Sequence, residues 1–426
     1  MRMKFNKSSQ LLLVSVAGLL VAGLITACET LTVDFVFVAC SKAAGPNNYG
    51  EIDVFEINSE SGFMRQIPTS PFPSGGRNPV AEAISADNTN LYVVNQDDNN
   101  IVQFIIGNDG KIYPQNTVNT PGVFPLAVAV SKLNLFVVDT YQPLPTCSPA
   151  APCAGSIAVF PITVGTTSPP SDMLQPNTPI NACNGLDYVP LGPVPGDVIT
   201  PTAITASANG NDVFISAHDA TANTGYVFGF VIGAMSCPNN AAPFQTIPTL
   251  TAMSGSPWKA GGIQPSAITV DPSSTYVYVT DMTSTNVHGY SIASGSLVEL
   301  NGSPFQAGNQ PDAIVVDPSY PYLYVANALD DTVSAYSMAA GVLTSIGSYP
   351  TGLQPVAIGV DPSTNHFLFT ANYLGNSLTA GSITGFELSP TAGTLINSQN
   401  SPYTANAQPV AAAAIPHNGT GGGIQK

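Results

Sequence analysis

The sequence predicts an all-β ring, a seven-bladed β-propeller of four-stranded antiparallel blades, and three observations carry that expectation. An anchor Pro-x-Ala followed by aliphatic residues recurs at Pro79, Pro125, Pro201, Pro265, Pro311, Pro355 and Pro409. Between anchors the chain alternates apolar and polar residues with period two, which is the pattern of short strands. The two chain ends hold complementary fragments of one more unit.

The repeat is plainest in "QPSAITVDPSSTYVYVTDMTSTNVHGYSI" from Gln264 and "QPDAIVVDPSYPYLYVANALDDTVSAYSM" from Gln310. Asp271-Pro272-Ser273 and Asp317-Pro318-Ser319 separate two strand-like runs. Pro presets φ there and the Asp carboxylate can bond nearby amides, so each is a turn. The unit starting at Pro311 reads as strands A to D at Ala313–Val316, Tyr322–Ala326, Val333–Met338 and Val342–Ser348. The anchors at Pro265, Pro311 and Pro355 are 46 and 44 residues apart, the length of one propeller blade. Longer steps place insertions after the second and third anchors, the larger at about residues 163–200.

Before Pro79 the chain supplies B, C and D strands at Val33–Ala39, Ile52–Ile57 and Phe63–Pro68, with no A strand. After Pro409 it supplies only an A strand, Val410–Ile415. The first blade is therefore expected to be closed by N-terminal B, C and D strands and a C-terminal A strand, which removes open sheet edges. The propeller would span residues 33–415 as one domain, with a flexible Gly-rich tail at 416–426.

Composition agrees with this reading. Pro and Gly number 38 each, as a chain punctuated by many turns requires, and charged residues make up only 8%. Surface ion pairs can contribute little to stability.

The N-terminus has a basic head, Arg2, Lys4 and Lys7, an apolar stretch from Leu11 to Leu24, and then Ile25-Thr26-Ala27-Cys28. That order defines a secretory signal over residues 1–27. The last four residues resemble a bacterial lipobox, which implies lipidation of Cys28, a short tether at 28–32 and a place in the cell envelope, at the outer membrane. Removing the signal leaves seven basic residues against 26 acidic, a balance of −19. Nucleic-acid binding needs basic patches and is not expected. The chain is expected to be monomeric and attached to the membrane through its lipid.

Export permits disulfides. Cys147 and Cys153 bracket "SPAAP", while Cys183 and Cys237 lie in the insertion and after a later strand. Pairing 147 with 153 and 183 with 237 is the preferred of three schemes, a metal site is the alternative, and Cys40 is left over. No metal or cofactor is expected: no His sits at ligand spacing near these cysteines, and no H-E-x-x-H, G-x-S-x-G, P-loop or dinucleotide motif occurs. Asp97-Asp98 and Asp330-Asp331 read as B–C turn formers, with calcium as the alternative, and so do Asn95, Asp139, Asp281, Asn327 and Asn372 at B-strand ends.

The repeats resemble the YVTN and lactonase-like β-propeller family, through Leu91-Tyr92-Val93-Val94-Asn95, Val277-Tyr278-Val279-Thr280-Asp281, Leu323-Tyr324-Val325-Ala326-Asn327 and Leu368-Phe369-Thr370-Ala371-Asn372. Ser-Pro-aromatic before the anchors, at Ser70, Ser256, Ser303 and Ser401, adds to the resemblance. It implies either a lactone hydrolase of the 6-phosphogluconolactonase kind or a non-catalytic binding protein. In the hydrolases His, Glu and Arg are expected near the mouth of the central channel.

The residues immediately before the anchors are Asn78, Phe124, Thr200, Gln264, Gln310, Gln354 and Gln408. That ring has no base, and its amides and hydroxyl are the candidate binding residues. Among the histidines, His218 reads as lying on a loop after a B strand beside Asp219; His288 falls on a C strand, His366 in an A–B turn and His417 in the tail. His218 and Asp312 are the candidate catalytic groups. The favoured expectation is a lipid-anchored propeller that binds a protein or glycan partner on its outward face. The alternative is hydrolysis of a neutral or weakly charged lactone in the channel mouth.

Overall fold

The computed structural model describes residues 33–41, 48–58, 61–165, 172–192, 197–239, 242–361, 367–377 and 380–416. Cys28, the signal, the tether, His366, His417 and the tail from 417 onward lie outside the described residues.

Every described element is a strand, and the strands form seven antiparallel sheets. Their innermost strands are Gln408–Ile415, Pro79–Ile84, Val123–Ser131, Ile199–Ala206, Pro265–Val270, Pro311–Val316 and Leu353–Val360, for blades 1 to 7 in that order. Each packs against the next and the last returns to the first, so they surround a central axis. The chain ends meet as expected: Val33–Ser41 pairs on one side with Tyr49–Asn58 and on the other with Gln408–Ile415.

Period two explains the packing. In blade 1, Phe35 and Phe37 face blade 2 while Val36 and Val38 face blade 7; in blade 2, Leu91 and Val93 face blade 1 while Tyr92 and Val94 face blade 3. Both faces of every blade are thus covered by a neighbour, and the apolar core is divided into seven clusters, one per blade interface. Each fully buried Phe or Val contributes roughly 1.5–3 kcal/mol, and the ring multiplies that contribution by symmetry.

Five blades depart from a simple four-stranded pattern by splitting the D strand, blade 3 around its insertion and blades 1, 4, 5 and 7 at a shared motif. In blade 1 the D strand is split into Met64–Gln66 and Phe72–Arg77, both paired with the C strand. The break is the Ser-Pro-aromatic motif. Ser70 Oγ accepts the C-strand amide of Val54 at 2.8 Å, replacing the partner that the interrupted strand no longer offers. Ser256, Ser303 and Ser401 do the same for Gly229, Gly289 and Gly385 at 3.0, 3.1 and 3.0 Å. Blades 2 and 6 lack the motif and keep continuous D strands, Ile112–Asn119 and Val342–Pro350, each with a bulge instead. A buried amide must be satisfied, and the serine does it.

The B-strand ends hold a second repeated device in addition to the turn-forming role expected of them, which Asp281 fills by accepting the Thr283 and Ser284 amides at 3.0 and 2.9 Å. Asn95, Asp139, Asp281, Asn327 and Asn372 are fully buried, and the first four hydrogen-bond the connection that leads into the innermost strand. Asp281 accepts the Gln264 amide at 2.8 Å, Asn327 that of Gly308 at 3.0 Å and Asp139 that of Gly122 at 3.2 Å. Such close approach leaves room only for glycine: a Cβ on Gly76, Gly122, Gly262, Gly308 or Gly352 would fall within 2.6 Å of the facing side chain. Blades 4 and 1 carry the smaller Ala217 and Cys40 at the B-strand position opposite the anchor, and there Val198 and Asn406 stand where the others have glycine.

Disulfides join Cys147 to Cys153 within the B–C loop of blade 3, and Cys183 to Cys237 between the insertion and the long C strand of blade 4, Thr224–Asn239. Cys40 is free and buried.

Candidate functional site at the channel mouth

The D–A connections and B–C loops share the upper face, where each anchor proline opens its innermost strand. Before the proline, Asn78, Phe124, Gln310 and Gln354 adopt left-handed backbone conformations, with φ of 54°, 57°, 50° and 55°. Immediately after it, the pairing slips in all seven blades: Pro311 pairs with Asn327 but Ala313 with Ala326, leaving Asp312 as an extra residue. The corresponding slips isolate Thr202 and Ser266, and on the other blades Val80, Leu126, Val356 and Val410. A bulge re-aims its side chain. All seven are half-buried on strands at the centre of the molecule, so the surface they expose faces the channel.

Thr202, Ser266 and Asp312 are consecutive around the ring, on blades 4, 5 and 6. Thr202 Oγ1 lies 2.8 Å from Ser216 Oγ, and Ser266 Oγ lies 2.8 Å from Thr280 Oγ1 while donating to the Pro311 carbonyl. Burial pushes the Asp312 carboxyl up to about 6, against the opposing effect of a hydrogen bond from Gln310. A carboxyl that titrates there is a base at neutral pH with a proton affinity well above that of a free aspartate.

His218 is placed differently from expectation. It belongs to the strand Asp212–Asp219, not to a loop, because blade 4 extends its B–C hairpin up to Thr224. It pairs with Thr200, and its Nδ1 donates to the Ile263 carbonyl at 2.8 Å. It stands two blades from Asp312. Among the rim amides, Asn78 Nδ2 reaches Gln96 Oε1 and Asp97 Oδ1 at 3.1 and 3.2 Å, while Gln354 is held by its backbone N–H, which donates to Asp331 Oδ1 at 2.7 Å. Gln264 is exposed, and Gln408 is half-buried opposite Ser41.

Cations are scarce here. Arg77 is the one arginine described at the mouth, and Asp98 takes it with Nε–Oδ1 and backbone N–Oδ2 contacts of 2.7 Å. Lys259 lies on the outermost strand of its blade. Among the described residues no group of three or more His, Cys, Asp or Glu side chains is arranged to hold a metal ion.

Four further carboxyls are raised by burial, Asp53 and Asp212 among them, and two of the four strongly. Glu82, wedged from blade 2 toward the Ala39 and Ala413 amides of blade 1, is pushed to about 8, and Asp139 to about 7. Both bind a proton in the folded protein that the unfolded chain has lost above about pH 4. Unfolding free energy must therefore fall as pH rises through 7 and 8. The lowered carboxyls Asp98 and Asp330 act only below the ordinary carboxylate range, and the lowered His288 only below about pH 6.5. The melting temperature is expected to drop between pH 6.5 and 8.5, and Glu82→Gln to flatten the upper part of that drop. A rising or level curve would contradict the buried-acid assignment.

The model of the family "Lactonase, 7-bladed beta-propeller" matches residues 231–360 and 302–409. The chain has the seven-bladed β-propeller fold that this family's model describes. Solved structures similar to this propeller include a putative 6-phosphogluconolactonase from Bacteroides fragilis, with 21% identity, a TM-score of 0.65, and coverage of 91% of this chain and 99% of that one. A periplasmic gluconolactonase from Pseudomonas aeruginosa is 18% identical with a TM-score of 0.62, covering 90% and 99%. At those identities the likeness is one of fold. No curated protein sequence matches.

The binding residues expected from the sequence precede the anchor prolines and lie on the rim. The ring that faces the axis follows each anchor proline, and only Asp312 was named from it. The signal was present, as the x of Pro-x-Ala, but nothing in a linear pattern says that a bulge sits there.

Proposed function

We propose that the protein hydrolyses a neutral lactone at the channel mouth, with Asp312 as general base. The observation that carries this reading is the Asp312 carboxyl itself: half-buried, aimed into the channel by a bulge and held by Gln310. The lactonase-like fold supports it. Asp312 takes a proton from water as the water oxygen attacks the lactone carbonyl. The side-chain amide of Gln264 and the hydroxyl of Thr200, neutral donors on the adjoining rim, serve the developing oxyanion. The ring C–O bond then breaks, and the proton held by Asp312 passes to the leaving oxygen, giving a hydroxy acid.

kcat/KM is expected to rise with pH through about 6, as the carboxylate forms. Asp312→Asn should lower it by about 10²–10⁴. Gln310→Ala, which removes a bond favouring the carboxylate, should move the inflection upward, a shift that mere loosening of the rim would not cause. A pH-stat assay over aliphatic and sugar lactones decides the matter. Activity unaffected by Asp312→Asn would remove the base from the mechanism.

The disulfides support a location outside the cytoplasm. A second reading, partner binding on the upper face, is favoured by a groove of about 480 Å³ bounded by Thr351–Leu353, Ala380–Ser382 and Pro402–Thr404. Absence of hydrolysis across the whole lactone panel would favour this binding role.

A further inference from the structure

The seven bulged residues divide the channel mouth into two unbroken arcs. Thr202, Ser266 and Asp312 occupy blades 4 to 6, and Val356, Val410, Val80 and Leu126 occupy blades 7, 1, 2 and 3. Were the polar residues scattered, the ring would suit a ligand polar all round. They are not scattered. Beneath the apolar arc the innermost strands continue mostly with small half-buried residues, Ala81 and Ala83, Ala127 and Ala129, and Ala411 to Ala414, interrupted by Glu82, which is turned toward the Ala39 and Ala413 amides of blade 1.

Charge narrows the choice further. The nearest described arginine, Arg77, is spent on Asp98, and the upper face also carries Asp97, Asp330 and Asp331. A phosphate or carboxylate entering the mouth would meet Asp312 with no Lys, Arg or His on the innermost strands to offset the repulsion.

We infer that the ligand is an uncharged lactone bearing an alkyl substituent, its ester turned to Ser266 and Asp312 and its substituent to Val80, Leu126, Val356 and Val410. This rests on the hydrolase reading for the reaction, but the recognition stands on the two arcs alone. Ser266 already donates its proton to the Pro311 carbonyl, so toward the ligand it offers lone pairs and helps place the attacking water. Each methylene buried against the apolar arc should raise affinity roughly fourfold.

The test uses the purified chain and a graded series of γ-lactones, from the unsubstituted ring through alkyl substituents of increasing length, with glucono-lactone and 6-phosphoglucono-lactone alongside. The expected result is a kcat/KM that climbs by about threefold to fourfold per methylene over the first few carbons, with the phosphorylated sugar lactone hydrolysed least. Val410→Asn should reduce that climb. Calorimetry on Asp312→Asn with the same series reads binding without turnover and should show the same dependence on length. Hydrolysis that is independent of chain length, or fastest on the sugar lactones, overturns the ligand assignment while leaving the hydrolase reading intact. No hydrolysis by the unaltered protein, with length-dependent binding retained, overturns the hydrolase reading and leaves the ligand class standing. Absence of both defeats both.

Discussion

A chain ending at Thr404 is expected to lose its cooperative melt, whereas a chain ending at Pro416 keeps it. The strand Gln408–Ile415 fills the innermost position of blade 1, paired with Val33–Ser41 from Phe35↔Ile415 to Ser41↔Gln408. Without it the ring opens at its centre. Ile415 leaves the cluster shared with Phe35 and Phe37, worth about 2–3 kcal/mol. The backbone pairs add about 1 kcal/mol each, and the truncation also removes Asn406, whose amide and Nδ2 bond Asp53 at 2.9 and 2.8 Å. Together these approach the whole stability of an ordinary domain, about 5–15 kcal/mol. Thermal unfolding followed by circular dichroism is the measurement. A native-like sharp transition in the shorter chain would refute closure by the C-terminal strand.

The second large effect concerns the glycine that faces a buried carboxyl. Gly122→Ala places a methyl 2.3 Å from the Asp139 Cβ, an overlap that no rotamer relieves because the atom belongs to a buried strand end. Overpacking of this kind costs about 1–3 kcal/mol. Asp139→Gly removes the obstacle, Cβ included, together with a carboxyl that burial already holds near neutral, so the double variant should be less destabilised than the sum of the singles. A coupling of about 1 kcal/mol or more from denaturant unfolding is expected. Blade 4 supports the expectation, since Val198 stands there opposite a blade position held by Ala217. Strict additivity would show that the glycine is kept for another reason.

The ring was legible because repetition makes weak strand signals add up. Seven Pro-x-Ala anchors, period-two runs such as Leu91–Asn95 and complementary fragments at the two ends all pointed to the same closure. Cysteine placement also carried through, as Cys147 joins Cys153 and Cys183 joins Cys237. The site was less legible. His218 looked like a loop residue because "SAHDATANTG" is rich in turn formers, yet pairing with Thr200 and Gly225 keeps it in a strand. Asn95 and Asp139 looked like turn residues for the same reason, while burial makes them clamps on the incoming connection.

By itself the sequence determined the number of blades, their order and where the ring is sewn shut, because those depend on alternation and repeat length, which are local properties summed along the chain. The tertiary structure alone decided which side chains face the axis. In blade 6 the left-handed Gln310 before the anchor and the bulge after it move the inward position from Gln310 to Asp312. The corresponding bulges set Thr202 and Ser266 beside it from other blades, and only closure of the ring makes those three residues neighbours.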